Sequence, residues 1–166
     1  MKLPQSPRLT YRLISRSDED RALLEILDTN PINREFFPGG VLSTDGVVNL
    51  QERFVSNYER DETPVFLVFD ELRIYIGRVG LFYTDELNAI GIGYFVDHDF
   101  WGKGYAFEMT TALLDWTSSN TEFKEVFAYA DINNLGSVEV MKKVGMEYVY
   151  NRVLKGIECV LYRKIL

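Results

Sequence analysis

The chain has 166 residues, 46% of them hydrophobic and 26% charged, which makes about one domain able to bury roughly two-thirds of its unfolded surface in one core. Its formal net charge of −7 argues against nucleic acid as a partner, because phosphate-backbone binding rests on clustered Lys and Arg; it suits a cationic substrate such as an amine and is equally the ordinary balance of a soluble cytosolic protein. Cys159 is the only cysteine and His98 the only histidine, so a disulfide within the chain, a thiolate metal cluster and a multi-histidine zinc site are all excluded.

Arg8 to Ile14 alternates, with Leu9, Tyr11 and Leu13 on one side, and reads as a first strand. Ser17 opens Ser-Asp-Glu-Asp, a capping-box-like start with Asp20 where the box prefers Glu. Leu23, Leu24, Ile26 and Leu27 then form a helical stripe that Asn30-Pro31 stops. Pro31 to Gly40 reads as loop, although it carries Phe36 and Phe37, which are costly to leave in water. A second helix is predicted over Thr44 to Arg60, with Val47, Leu50, Phe54 and Tyr58 near one face.

Beyond Pro64 the period becomes extended. Val65 to Phe69 and Arg73 to Tyr83 read as strands joined by a hairpin turn at Asp70-Glu71, and Ile90 to Val96 as the next strand. Gly104 to Trp116 is helical, since Met109, Ala112, Leu113 and Trp116 recur three and four apart. Val126 to Ala130 is a short buried strand and Ser137 to Val144 a short helix ended by Gly145. Two strands follow, Tyr148 to Arg152 and Glu158 to Ile165. The order predicts an α/β chain of the α+β type: one domain over residues 1–166, with a mixed sheet of six or seven strands flanked by about four helices. The central run of three strands argues against a doubly wound fold. No apolar stretch approaches the length of a membrane span and the N-terminus lacks a signal-peptide core, so the expected location is the cytoplasm and no membrane is expected as a partner.

The densest signal is Tyr94 to Glu108, where a strand meets the turn Trp101-Gly102-Lys103-Gly104 and a helix opens at Tyr105-Ala106. Glycines there leave backbone amides uncovered, and the positive end of the helix adds to their pull on an anion, so the expected ligand carries phosphate. Two rival phosphate motifs fail. A P-loop needs Ser or Thr after Lys103, where Gly104 stands, and the dinucleotide fingerprint needs glycine where Phe107 stands.

A second segment, Asp131 to Met146, follows a strand and carries Asn133, Asn134 and Ser137 at the entrance to a helix. With Ile92-Gly93-Tyr94-Phe95-Val96, Trp101 to Ala106, Glu108, and Asn134, Ser137, Val140, Lys143, Gly145 and Met146 in order and at matching spacing, the chain resembles the GNAT superfamily of acyl-CoA-dependent N-acyltransferases. Within it, the chain is most similar to the ribosomal-protein alanine acetyltransferase branch. The resemblance implies that Gly102, Lys103, Gly104, Tyr105 and Ala106, with Trp101, hold the pyrophosphate of acetyl-CoA. It also implies that the fourth strand splays from the fifth, leaving backbone groups of Phe95 and Val96 to pair with the pantetheine arm. Asn134 has two readings, reaching that arm or capping the helix. Ser137 matches the serine that protonates the departing thiolate, or is a local hydrogen bonder at a first helical turn.

Two departures bear on mechanism. Met141 stands where many relatives place a general-acid Tyr, and Gly91 where several carry a Glu base; Glu86, Asp97 and His98 are polar groups near the strand's ends, each more simply read as solvated surface. Phe36, Phe37, Tyr83 and Tyr94 either wall an acceptor cleft or are ordinary core aromatics. The implied activity is acetyl transfer from acetyl-CoA to a primary amine, foremost a protein N-terminal α-amine, by direct attack, without a metal and as a monomer or homodimer. The alternatives are a small cationic amine as acceptor, or a non-catalytic acyl-CoA-binding module, which the two departures motivate.

Overall fold

A computed structural model describes residues 1–166. Ser17 caps as its context asks: its hydroxyl accepts from the Asp20 amide and α1 runs Asp18–Asp28. Leu24 and Leu27 are fully buried, whereas Ile26, counted in the apolar stripe, lies off the packed face and is 49% exposed. Ser43 caps α2, Thr44–Asp61, by accepting from the Gly46 amide. On that helix Val47, Leu50 and Val55 face inward with Gln51, whose amide nitrogen donates to the carbonyls of Ser15 and Ser17.

Seven strands form one sheet in the order β1-β2-β3-β4-β5-β7-β6. They are β1 Thr10–Leu13, β2 Val65–Phe69, β3 Tyr75–Thr84, β4 Ala89–Val96, β5 Glu125–Asp131, β6 Glu147–Leu154 and β7 Ile157–Ile165. Every neighbouring pair is antiparallel except β4 and β5, which are parallel. The second strand of the hairpin begins at Tyr75 rather than Arg73, because the Asp70 carboxylate accepts from the amides of Leu72 and Ile74 and Arg73 turns left-handed at φ 63°. Helix α3, Tyr105–Asn120, outlasts its apolar stripe by four residues, with the Asn120 side chain donating to the Trp116 carbonyl. Helix α4, Leu135–Lys143, starts two residues before the predicted Ser137.

The sheet carries a core on each face. Val79, Leu81, Ile92, Val126, Ala128 and Ala130 point towards α3 and α4, where Met109, Leu113, Val138 and Met141 meet them. Leu67, Tyr75 and Phe95 point the other way, onto Leu24, Leu27, Val47 and Val55 of α1 and α2. The long α1–α2 connection is tied down by a buried ionic cluster: Asp28 is fully buried and receives both Arg34 and Arg78. Arg34 Nε also donates to the Gly40 carbonyl at 2.8 Å. No helix is long and apolar enough to cross a membrane.

Candidate functional site

The sheet is opened in its middle. β4 and β5 meet at a single register pair, Gly91 with Phe127, and beyond it no pairing joins Gly93–Val96 to Tyr129–Asp131. The direction of the unpaired backbone follows from the ladder on the other side. The Asp97 amide donates to the Ile76 carbonyl on the β3 side, and in an antiparallel ladder residues facing one neighbour alternate with residues facing the other. Phe95 therefore spends its backbone groups on β3, and the edge turned towards the opening belongs to Tyr94 and Val96. The Val96 carbonyl is already taken by the Trp101 indole, whose Nε1 donates to it at 2.8 Å.

That bond folds the glycine turn back against the end of β4. Gly102 and Gly104 sit at φ 75° and 80°, in the left-handed region that glycine alone enters without penalty. Around Gly102 nothing lies within 4 Å of where a Cβ would stand, so the turn is an open cradle. Gly104 is the N-cap of α3 and supplies no side-chain hydrogen bond. The first amides of the helix thus face the turn without a side-chain acceptor, which is the arrangement that draws an anion. Positive charge gathers beside it. Arg8 donates from its Nη1 to the Lys103 carbonyl at 3.1 Å and lies over the Tyr105 ring, and the Lys103 ammonium sits 4.9 Å from the Phe100 ring centre.

Glu108, on the first turn of α3, accepts from the Arg8 amide at 2.8 Å and from Arg8 Nε at 2.7 Å. Burial alone would raise the Glu108 pKa, but the Arg8 contacts and the Ser6 hydroxyl outweigh it and hold the carboxyl below its ordinary value.

Across the opening, the Asn134 side-chain oxygen accepts from the Ser137 amide at 3.2 Å and caps α4. The cap uses the oxygen, not the amide nitrogen, so capping and reaching a ligand are compatible. Ser137 Oγ lies 2.9 Å from the Tyr94 hydroxyl, which also donates to the Ser137 carbonyl at 2.8 Å. Burial pushes the Tyr94 phenol up to about 12, with the Ser137 hydrogen bond opposing.

The description "Acetyltransferase (GNAT) domain" belongs to the family model that matches residues 8–147. The chain belongs to the GNAT acetyltransferase family. Among solved structures, a GNAT-family acetyltransferase from Bacillus anthracis superposes with a TM-score of 0.82 at 18% identity, over 98% of this chain and 97% of its own. An acetyltransferase from Agrobacterium tumefaciens reaches 0.85 at 19% identity over 100% and 96%. RimL, a ribosomal L7/L12 α-N-protein acetyltransferase in complex with coenzyme A, reaches 0.81 at 17% identity over 98% and 97%. At such identities the likeness is one of fold. YkkB, an uncharacterized protein of Bacillus subtilis, is 32% identical over 76 residues, and the match spans less than half of either protein, 45% of this chain and 44% of YkkB.

In this GNAT domain the four aromatic residues read as a cleft wall are not brought together. Phe37 stacks on Phe95 at 4.6 Å beside α1 and α2, and Phe36 is half-buried in the same connection. Tyr94 packs on the opposite face with the α3 and α4 core. Tyr83 lies at the far end of β3, lining a surface depression of about 460 Å³ with Asp61, Asn88 and Phe123. Of the polar groups near the strand ends, Glu86 is exposed in the β3–β4 turn. Asp97 is buried and structural: Asn33 donates to it at 3.4 Å and accepts from the His98 amide at 2.8 Å, pinning the α1–α2 connection to the end of β4, while His98 Nδ1 lies 2.9 Å from its carboxylate.

Residues beyond the sequence reading also shape the site. The pairing of Arg8 is not legible in the sequence because its partner, Glu108, is 100 positions away. Nor is the place of Phe82, because nothing in an alternating strand marks which aromatic faces the opening.

Proposed function

We propose that this chain transfers the acetyl group of acetyl-CoA to a primary amine, foremost a protein N-terminal α-amine, by direct attack in a ternary complex. The observation that carries the reading is the parting of β4 from β5 beyond Gly91, with the uncapped N-terminus of α3 at one side and Ser137 at the other. An extended chain with amide groups fits such an opening as an added strand does, and a pyrophosphate fits the cradle at Gly102–Ala106. Acetyl-CoA offers both, and when bound it supplies the thioester carbonyl that the amine attacks.

The chain's own groups divide the work. Amides of Gly102 to Ala106, with Arg8 and Lys103 nearby, hold the pyrophosphate. The Val96 amide and the Tyr94 backbone meet the pantetheine arm from β4, and the Asn134 amide nitrogen meets it from α4. The Ser137 hydroxyl gives a proton to the departing thiolate. With Gly91 and Met141 at the two positions that carry ionisable groups in many relatives, a strongly basic amine would lack a partner to deprotonate it. An α-amine, with a pKa near 8, is substantially neutral without one. The net charge of −7 favours the second reading, a small cationic amine as acceptor.

Thiol release from acetyl-CoA, measured against N-terminal peptides and small polyamines, tests the proposal. Turnover with a peptide α-amine is expected; tight coenzyme A binding with no turnover on any acceptor would leave only an acyl-CoA-binding module.

A further inference from the structure

The sheet face turned towards α1 and α2 carries a glycine floor beside the opening. Gly80 of β3 pairs directly with Gly93 of β4, and Phe82 with Gly91. The Phe82 ring lies across this floor: a Cβ on Gly91 would stand 2.4 Å from two of its carbons, and one on Gly93 3.2 Å from a third. Gly91 is therefore glycine for a steric reason. Any side chain there, a carboxylate included, would have to displace the Phe82 ring.

From the floor the ring reaches the other lip of the opening. Phe82 meets Tyr129 of β5 edge to face, with centroids 6.0 Å apart and planes at 90°. Val126, Ala128 and Ala130 of β5 pack into the α3 and α4 core, so Tyr129 stands on the opposite face, with Phe82. The gap between β4 and β5 is thus bounded by Tyr94 and Ser137 on one face and by Phe82 and Tyr129 on the other. Both rings are half-buried, so neither is sealed in a core.

We propose that Phe82, supported by Tyr129, is the specificity-determining wall of the acceptor site, and that it selects a peptide α-amine, neutral as it reacts, over a polycationic amine. This rests on the transferase reading above. If the donor lies along the Ser137 face, the acceptor reaches the gap from the Phe82 face. What it meets there is aromatic carbon. Among the charged groups that the strand register places on that face, Arg78 is paired, with Arg34, to Asp28 and Arg163 to Glu125, while the Asp131 carboxylate, two residues beyond Tyr129, accepts from the amide and side chain of Asn133. Held over Gly91, the ring fills the place from which a carboxylate on β4 could take a proton from a cationic amine, and it offers an apolar group at the α-carbon a flat surface.

The experiment compares wild type, Phe82→Leu and Phe82→Ala in steady-state assays with acetyl-CoA and three acceptors: a peptide beginning with Ala, one beginning with Leu, and spermidine. The wild type is expected to prefer both peptides to spermidine. Phe82→Ala is expected to raise the KM for both peptides about 10-fold, the scale of a lost apolar contact in a pocket, to narrow their advantage over spermidine, and to leave the KM for acetyl-CoA unchanged. Phe82→Leu, which keeps most of the volume, should fall between. The acetyl-CoA KM reports that each variant is folded. If both variants keep wild-type acceptor KM values and rank order, or if the wild type prefers spermidine, the inference is overturned while the transferase reading stands. Absence of turnover in the wild type with all three acceptors, alongside coenzyme A binding, sinks both.

Discussion

The Tyr94 hydroxyl on β4 and Ser137 on α4 are joined across the open seam of the sheet, 2.8 Å to the carbonyl and 2.9 Å to Oγ. Because burial lifts the Tyr94 phenol to about 12, it stays neutral throughout the working range and anchors the serine without titrating. Tyr94→Phe should therefore lower kcat by roughly 3- to 10-fold, the worth of one ordinary hydrogen bond, with the acetyl-CoA KM unchanged. Ser137→Ala should cost about 100-fold, the lower end for losing an acid in the transition state. The pH profile checks the anchor role: Tyr94→Phe should leave every limb below pH ~10 in place. A limb that disappears in the variant would make Tyr94 a proton donor in its own right.

Gly102→Ala separates conformation from sterics. The position has free space for a methyl group but a φ of 75°, and a side chain held in the left-handed region costs roughly 1–2 kcal/mol. Either the turn keeps its shape and loses that much stability, or it relaxes and turns its amides away. The turn is open, so relaxation is expected: coenzyme A affinity, read by calorimetry, should fall with no change in acceptor KM, whereas unchanged affinity with a lower Tm would mean that the turn keeps its shape.

How far the sequence reaches is visible at these two places. The turn at Gly102 and Gly104, the α4 cap at Asn134 and the neighbouring Ser137 are local patterns, set by residues within a few positions of one another, and the structure keeps their spacing. The seven strands are legible from alternation at the first and from β-branched and aromatic runs at the central ones, and α3 runs past its predicted end because Thr117 to Asn120 carry no apolar stripe. What the sequence does not show is contact across distance. The Arg8–Glu108 pair, the seating of Phe82 on Gly91 and the insertion of β7 between β5 and β6 all depend on how strands align after folding. Likewise, Tyr94 and Phe37 look alike in sequence and end on opposite faces of the sheet.

Asp28 should be the most sensitive ionic position in the chain. It is fully buried between Arg34 and Arg78, and both of those side chains are 8% exposed. Asp28→Ala leaves two buried cations without a counter-charge, so about 3–5 kcal/mol should be lost in urea unfolding. Arg34→Met should be milder, because one arginine and one carboxylate remain paired. If the two variants are equally destabilised, the charge count is not what matters and packing of the α1–α2 connection is.

Arg8 ties the N-terminal segment to the phosphate cradle, and the tie has a pH signature. Its amide and guanidinium hold Glu108 below its ordinary pKa, against the opposing effect of burial. A carboxyl depressed in the folded state contributes stability that is complete above its unfolded value, about 4.3, and fades as pH falls through the lower folded value. Arg8→Ala removes the guanidinium and leaves the backbone amide bond, so the loss at neutral pH should be small, about 0–1 kcal/mol for a pair whose arginine is 45% exposed. The difference in Tm between wild type and variant should hold from neutral pH down to the ordinary carboxylate range and shrink below it; a difference that stays constant into acid would mean that Arg8 stabilises by covering Tyr105 and not through Glu108. The same variant loses the bond from Arg8 to the Lys103 carbonyl, which braces the turn. Its acetyl-CoA KM should therefore rise at every pH, including the acid range where the stability difference has gone.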